Sequence, residues 1–396
     1  GTCYVAATRY KLGDFAPYLY KTTDYGKTWT KITNGIKNEH FTRVVREDPK
    51  RKGLLYAGTE TGMYISFDDG ANWDSFQMNL PIVPITDLTI KDDNLIVATQ
   101  GRSLWIIDDL TVLHQLDSDS KNQNVVLFQP KDSYRTKGGA RKQPSKTEGQ
   151  NHPNGVVTNF YLKNLNEKDS IALTYMNMKG DTLATFSNTA KEKDKKLTAK
   201  KGGNTHVWDT QGKGAEELDG MILWWASLDG PKAVPGEYQV HLNVNGSNSS
   251  KTFKIVPDPR AEVSIADMQK QYDFITDVNT TIEKAHESIK KIRKINAQLD
   301  AFSKQYKDNE QTKDLVKKAK EMKEKFGEVE KELYQTQNRS GQDPLNFPIK
   351  LTNKLGHLNS LVGIDDFPPT DQDIAVKNEL TSKINEQLST FDTLIS

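Results

Sequence analysis

The chain holds a single cysteine, Cys3, in 396 residues. No internal disulfide can staple it, and cysteine usage does not assign a compartment. Cys3 sits in a strand-like stretch with no histidine near it in sequence, so it is expected to be a small buried hydrophobe. Charge of one sign is also lacking: 54 Lys and Arg face 53 Asp and Glu, a net charge of +1. That removes any overall electrostatic case for nucleic acid. No apolar run approaches the roughly 18 residues of a membrane-spanning helix, so none is expected. The seven histidines, His40, His114, His152, His206, His241, His286 and His357, are all far apart in sequence. Neither HExxH, GxSxG, a P-loop nor a dinucleotide fingerprint occurs, so no metal and no cofactor is expected. The first residue is Gly1 and no signal peptide is present. A processed chain or an excised fragment is expected, with any export signal upstream.

What is present falls into three regions. Residues 1–116 read as short strands, among them "TCYVAAT", "YLYKTT", "LLYAGT", "GMYISF" and "NLIVATQ", bounded by Gly, Asp and Asn. Stacked, they reveal a repeat. Ala6, Ala57 and Ala98 form one column, Tyr20, Tyr64 and Trp105 another, Asp24, Asp68 and Asp109 a third. The aspartates recur after 44 and then 41 residues (24 to 68, 68 to 109). The first alanine interval is longer by the loop "KLGDFAP". A period in the low forties with about four strands per unit is a propeller-blade signature.

Two units carry an octet, "TTDYGKTW" at 22–29 and "SFDDGANW" at 66–73. The constant residues are Thr22, Asp24, Gly26 and Trp29 in the first, and Ser66, Asp68, Gly70 and Trp73 in the second. At a hairpin, an Asp carboxylate can accept backbone N–H bonds and Gly supplies a positive φ. The tryptophan can wedge against the neighbouring sheet. The octet resembles the Asp-box, or BNR repeat, of sialidase-like and sortilin-like propellers. That resemblance implies a structural staple and not a catalytic carboxylate. The third unit, "GRSLWIIDDLTVLHQL", has lost the box and resembles the last blade of such a propeller. Three repeats cannot close a ring that needs about four or more, so further blades are expected upstream.

Residues 117–258 return to strands without the propeller period, joined by a polar Gly/Pro-rich linker at 131–155 that reads as a solvated basic connection. "NVVLFQP", "GVVTNFYLK", "DSIALTYM", "DTLATF", "NTHVWDT", "GMILWWAS", "GEYQVHLNV" and "SKTFKIVP" suit one antiparallel β-sandwich. "HVWD" followed by "PGEYQV" resembles the Ig-like module of flagellar-hook-assembly and secretion-associated bacterial proteins. Trp208, Trp224 and Trp225 could stack on sugars, but the apolar run "MILWWA" favours packing. Residues 259–396 switch to helical period. Ile265, Met268, Tyr272, Ile275, Ile282, Ile289, Ile292 and Leu299 mark one stripe, with Ser264 and Asp267 as a capping box. Leu315, Ala319, Met322, Phe326, Val329 and Leu333 mark the second, turning around "KQYKDNEQ" as a coiled-coil hairpin. A third helix from about Ile349 and a fourth capped by Thr370 complete a four-helix bundle. The loop "YQTQNRSGQDPLN" reads as a knot of hydrogen bonds, with a ligand site as the alternative.

Taken together, "VATQGRSLWIIDDL", "GVVTNFYLK", "VPDPR" and "ELYQTQNRSGQDPLNFPIKLTNKL" resemble the C-terminal part of large Bacteroidetes-type proteins with Asp-box repeats or sortilin-type propellers. The resemblance implies a multidomain β + α chain: partial propeller blades, an Ig-like sandwich and an antiparallel helical bundle. It implies export to the periplasm, the cell surface or the medium. Its partners would be an N-terminal propeller portion or another chain completing the blades, and a peptide, protein or glycan ligand. The expected function is a binding or scaffold protein. The alternative is a sialidase-like glycoside hydrolase with most catalytic groups on further blades. Such a hydrolase needs three clustered arginines, a Tyr–Glu pair and an acid/base Asp. Arg9, Arg43, Arg46, Arg51 and Arg102 show no such spacing, and no catalytic residue is assigned. The candidate ligand-facing positions are Gln100, Arg102 and Ser103.

Overall fold

Runs of Tyr, Val, Ile and Thr broken by Gly and Asp turns fold as antiparallel hairpins through the first part of the chain. The computed structural model describes residues 1–136 and 151–396, which divide into Gly1–Gln129 and Pro130–Ser396. In the first unit, β1 (Cys3–Arg9), β2 (Asp14–Thr22) and β3 (Thr30–Lys31) form sheet one. Sheet two holds β4 (Thr42–Glu47), β5 (Leu55–Thr59), β6 (Gly62–Ser66) and β7 (Asp74–Ser75). Sheet three holds β8 (Ile85–Lys91), β9 (Asn94–Thr99) and β10 (Leu104–Ile107), and α1 (Thr111–Gln115), α2 (Ser118–Asn122) and β11 (Val125–Leu127) follow.

Side chains alternate across a strand, and sheet two uses both of its faces. Leu55, Ala57, Tyr64 and Trp73 pack on Leu19, Ile32 and Ile36 of the sheet-one repeat. Tyr56, Met63 and Ile65 pack the other way, on Ile85, Leu88, Leu95 and Val97 of sheet three. The strand registers correct one column of the repeat. Ala6 and Ala98 pair with Leu19 and Leu104, whereas Ala57 pairs with Tyr64, one position along. The hairpin turns differ in length, so a count of intervals drifts by one. Part of the "KLGDFAP" insertion is not loop, because β2 begins at Asp14. Cys3 is exposed, not buried, at the first position of β1, which among the described residues is an outer strand of its sheet. Buried Asp48 closes the unit. It accepts from Tyr56 OH at 3.2 Å and sits 2.9 Å from His114 Nε2 on α1.

In the second unit, β12 (Ser133–Arg135), β13 (Val156–Leu162), β14 (Ile171–Asn177), β15 (Thr182–Ser187), β16 (Gly202–Trp208), β17 (Gly236–Val244) and β18 (Ser247–Pro257) precede the helices. The five-stranded sheet runs β12-β18-β17-β14-β15, with β12 parallel to β18. β13 pairs with β16. The two layers meet where Tyr175 stacks on Trp208 at 4.6 Å and shares a 2.8 Å hydrogen bond with Thr158.

The stretch "GMILWWAS" is irregular and not a strand. Side chains from the helical region, Tyr334 just past the helix Lys313–Leu333 and Asn353 in the helix Leu351–Val362, take its backbone bonds instead. Ile222 N donates to Tyr334 OH at 2.9 Å, and Trp224 N and O are both held by Asn353, at 2.8 and 2.9 Å. Four α-helices follow among the described residues: α3 (Ile265–Gln305), α4 (Lys313–Leu333), α5 (Leu351–Val362) and α6 (Asp371–Ile395). They share one core, including Ile282, Ile289, Phe326, Leu355, Ile384 and Phe391. The pairs Arg293–Glu330 and Asp300–Lys323 fix α3 and α4 antiparallel. Three stripe positions differ from expectation: Ile265, Leu315 and Met322 are exposed, and Val316 is buried. Ser264 caps α3, while Thr370 and Asp373 form a reciprocal capping box on α6.

Most of the basic linker, residues 137–150, lies outside the described residues. Arg135 at its start is not solvated. Its Nη1 lies 2.8 Å from Asp366 Oδ1, with both side chains buried. Gln271 accepts from Arg135 at 3.3 Å and donates to the carbonyls of Val362, Asp365 and Phe367. Removing one member of a buried ion pair strands the other, at about 3–5 kcal/mol. Asp366→Ala should therefore lower the urea-unfolding free energy of the chain by about 3 kcal/mol or more, and Arg135→Met combined with Asp366→Leu should restore most of that loss.

Candidate functional site

Each octet folds as the same turn. Tyr25 and Gly26 have φ of 61° and 85°, and Asp69 and Gly70 have 63° and 85°. Two successive left-handed residues bend the chain sharply inside the seven-residue connection between β2 and β3, and between β6 and β7. Around it, Thr22 Oγ1 donates to Asp24 Oδ1 at 2.8 Å and accepts from Gly26 N at 2.9 Å. Asp24 also accepts from Thr28 N at 2.9 Å and Thr28 Oγ1 at 2.7 Å. Ser66, Asp68, Gly70 and Asn72 repeat these bonds, Asn72 Nδ2 replacing the Thr28 hydroxyl. Each carboxylate thus accepts three bonds from its own turn. The bonds from Thr28 and Thr22 hold the Asp24 carboxyl at about 2. Burial pushes Asp68 up, but the bonds from Asn72 and Ser66 outweigh it and keep it below the usual range. Carboxylates so held are neither proton donors nor free bases at neutral pH.

The tryptophans differ. Trp73 is 3 % exposed and its indole N–H donates to Ile32 O at 2.8 Å, on the preceding repeat. Trp29 is 45 % exposed and its indole N–H donates to Gly26 O of its own turn, at 3.1 Å.

Between the two octets opens a cleft of about 400 Å³, lined by Lys21, Thr28, Lys31, Asn34, Asp68 and Asp69 among others. Asp69 there accepts from Tyr4 OH and from Lys21 Nζ. Burial and Asp69 push the Tyr4 phenol up. Burial pushes Asp69 up as well, but Lys21 and Tyr4 hold it below the usual range. The trio is a tie between hairpins and supplies no free base. The sequence reasoning missed it, and only the Asp–Asp–Gly of the second octet hinted at it.

Gln100, Arg102 and Ser103 lie together on the exposed β9–β10 turn, where Gly101 and Ser103 have φ of 84° and 62°. Thr99 Oγ1 donates to Ser103 O at 2.6 Å and Trp105 Nε1 to Arg102 O at 2.9 Å. Arg102 Nη1 donates to Gly101 O at 2.9 Å. The other arginines of this unit are engaged separately: Arg9 with Asp14, Arg43 with Glu60, Arg46 with Asp87, and Arg51 with the Leu113 carbonyl. Asp109, the third aspartate of the repeat, accepts from Thr111 N at 2.9 Å at the start of α1. In the other unit Trp208 is buried, Trp224 half-buried, and Trp225 exposed at φ 50° with its ring stacked on Trp224 at 6.2 Å between centroids. The "NRSGQDP" loop closes on itself, Asp343 accepting from Arg339 N at 2.6 Å and Ser340 N at 2.9 Å. Among the described residues no group of three or more His, Cys, Asp or Glu could hold a metal, and no helix is long and apolar enough to cross a membrane.

No family model matches the chain, and no curated protein matches it. Among solved structures, the extracellular domain of a hybrid two-component system from B. thetaiotaomicron aligns at 10 % identity and TM-score 0.21, over 62 % of this chain and 29 % of that one. The extracellular domain of a one-component system from the same organism aligns at 11 % and 0.20, over 62 % and 29 %. An ancestral GH74 enzyme aligns at 12 % and 0.22, over 63 % and 36 %. The chain therefore spans little more than a third, or less, of these proteins, and likeness at such scores carries no inference about activity.

The sign of the acid response follows from Asp24. Its folded value of about 2 lies below the ordinary aspartate value of 3.8, so its contribution to stability is present above about pH 4 and is lost as pH falls towards 2. Asp24→Asn should flatten part of the acid limb between pH 4 and 2 in a plot of urea midpoint against pH, leaving the limb above pH 5 unchanged.

Proposed function

We propose that the chain is part of an exported binding or scaffold protein whose three N-terminal sheets, residues 1–116, are blades of an Asp-box propeller. In this reading residues 117–258 are an Ig-like sandwich and 259–396 a four-helix bundle that accompany the ring. The ring grips a peptide, protein or glycan, and the missing arc comes from an N-terminal propeller portion or a partner chain. One observation carries the reading: equivalent residues are buried between sheets and bare on the outermost ones. Trp73 is seated on the preceding repeat while Trp29 is open. Met63 and Ile65 are 2 % and 3 % exposed, whereas their counterparts Leu104 and Ile106 are 66 % and 57 % exposed. Bare faces of this size and pattern are surfaces that meet something, and the chain itself supplies the pattern of what meets them. The hydrolase alternative gains nothing from the described residues, because the arginines are engaged separately and each octet carboxylate is bonded into its own turn.

The test is a photo-crosslinker. With benzoylphenylalanine at position 29, irradiation of the protein in the cells that make it should join it to polypeptide containing further Ser/Thr-x-Asp-x-Gly-x-x-Trp octets, in cis or in trans. Crosslinks only to sequences without the octet, or none, would overturn the ring. The same contrast sets stabilities. In the isolated chain Trp73→Ala should cost about 3–5 kcal/mol, the usual range for emptying a buried aromatic site, and Trp29→Ala less than about 0.5 kcal/mol, both read by urea unfolding.

A further inference from the structure

Sheet three stops one strand short of sheet two. In sheet two, β7 runs antiparallel along the outer edge of β6, pairing Asp74 with Ile65 and Ser75 with Tyr64. Phe76 N then donates to Met63 O at 2.9 Å. β10 is the counterpart of β6, and among the described residues no strand lies along its outer edge. After β10 the chain turns away, with Leu110 N bonded to Asp93 O at 2.8 Å and Asp109 at the start of α1. The bond from Thr99 N to Ser103 O sets the alternation of the β9–β10 hairpin. Trp105 and Ile107 exchange bonds with β9, which leaves the N–H and C=O of Leu104 and Ile106 directed at the open edge. Met63 and Ile65, their counterparts, direct the same groups at β7.

A groove runs beside this edge, and its walls repeat a seat that is filled elsewhere. Trp73 packs with Leu19, Ile32, Ile36 and Tyr64, its indole N–H on the Ile32 carbonyl. One repeat further on, the counterparts of those four are Met63, Phe76, Leu80 and Trp105. All four line the groove next to β10. Backbone donors and acceptors in a row, beside a groove walled by the counterparts of a filled tryptophan seat, are the two halves of strand-addition recognition.

We propose that the β10 edge and this groove form a strand-addition site. It takes a tryptophan-led extended segment, antiparallel to β10, from the return strand of an Asp-box hairpin elsewhere in the assembly. The indole enters between Met63, Phe76, Leu80 and Trp105, and the next residues bond to Ile106 and Leu104. The proposal rests on the reading of the three sheets as repeats of one unit.

The probe is a fluorescent peptide with the chain's own sequence GANWDSFQMNL, residues 70–80, titrated against the whole chain by anisotropy. Saturable binding is expected. Replacing the peptide's tryptophan by alanine should weaken it about tenfold or more, as loss of a seated aromatic anchor does. N-methylation of the phenylalanine amide, which removes the donor to Leu104 O, should weaken it by about tenfold. On the protein, Ile106→Pro removes the outward N–H at an edge position where proline is tolerated, and should do the same with the thermal midpoint little changed. If that variant misfolds, the two modified peptides still decide. No saturation with the unmodified peptide, or equal binding by the modified ones, overturns the site. Loss of peptide binding with the position-29 crosslink intact would sink the site alone. The reverse result would sink the ring alone.

Discussion

The first unit depends on one constraint: a sheet of three or four short strands cannot bury its own faces. Each must lean on a neighbour, and sheet two is the only one of the three with a described sheet on both sides. The indole of Trp73 is the pin of that stacking, because it fills space between repeats and satisfies the Ile32 carbonyl at the same time. The octet exists to hold that tryptophan at a fixed place. Its Ser66 hydroxyl and Asp68 carboxylate bond within the turn, and its two left-handed residues, Asp69 and Gly70, bend the chain there. A rigid turn then delivers the ring of Trp73 to the preceding repeat.

The second unit solves the same problem with polar side chains. The segment through Trp224 lies against helices and cannot pair with a strand, so Asn353 supplies both a donor and an acceptor to one residue's backbone. Gln271 does similar work for three carbonyls after α5, beside the Arg135–Asp366 pair. Buried polar groups of this kind fix one arrangement because every misplacement leaves a donor or acceptor unsatisfied. They also explain how an apolar run can be irregular and still ordered.

Much of the secondary structure was legible because turns announce themselves. Gly26, Gly70 and Gly101 mark hairpins where φ must be positive, and Thr370 with Asp373 marks a helix start. What misled was apolar composition without context. "MILWWA" reads as a strand, yet its backbone partners sit more than a hundred residues away in sequence, where no local pattern can show them. Leu315 reads as a core position, but the helix buries Val316, and a one-residue phase error is invisible when both are aliphatic. Arg135 reads as part of a solvated basic run until Asp366 meets it. At the candidate site, the octets were legible as turns. The Tyr4–Asp69–Lys21 tie was not, because each member comes from a different strand or turn.

The repeat is most informative where it fails. A sequence that keeps Trp105 and Asp109 but drops the octet could have lost its function or merely its hairpin. The surroundings decide between these. Asp109 has been reused to start α1, so the chain no longer returns along β10. The four walls that would receive a returning tryptophan are nevertheless all apolar or aromatic. If nothing ever lay there, an exposed edge flanked by exposed Leu104 and Ile106 would be an aggregation hazard, which soluble sheets ordinarily blunt with lysine, proline or a bulge. None of these stands in β10, whose four residues are Leu, Trp, Ile and Ile. In the proposed reading, this unprotected edge beside an apolar groove is covered in use by a piece that resembles the return strand the third repeat lacks.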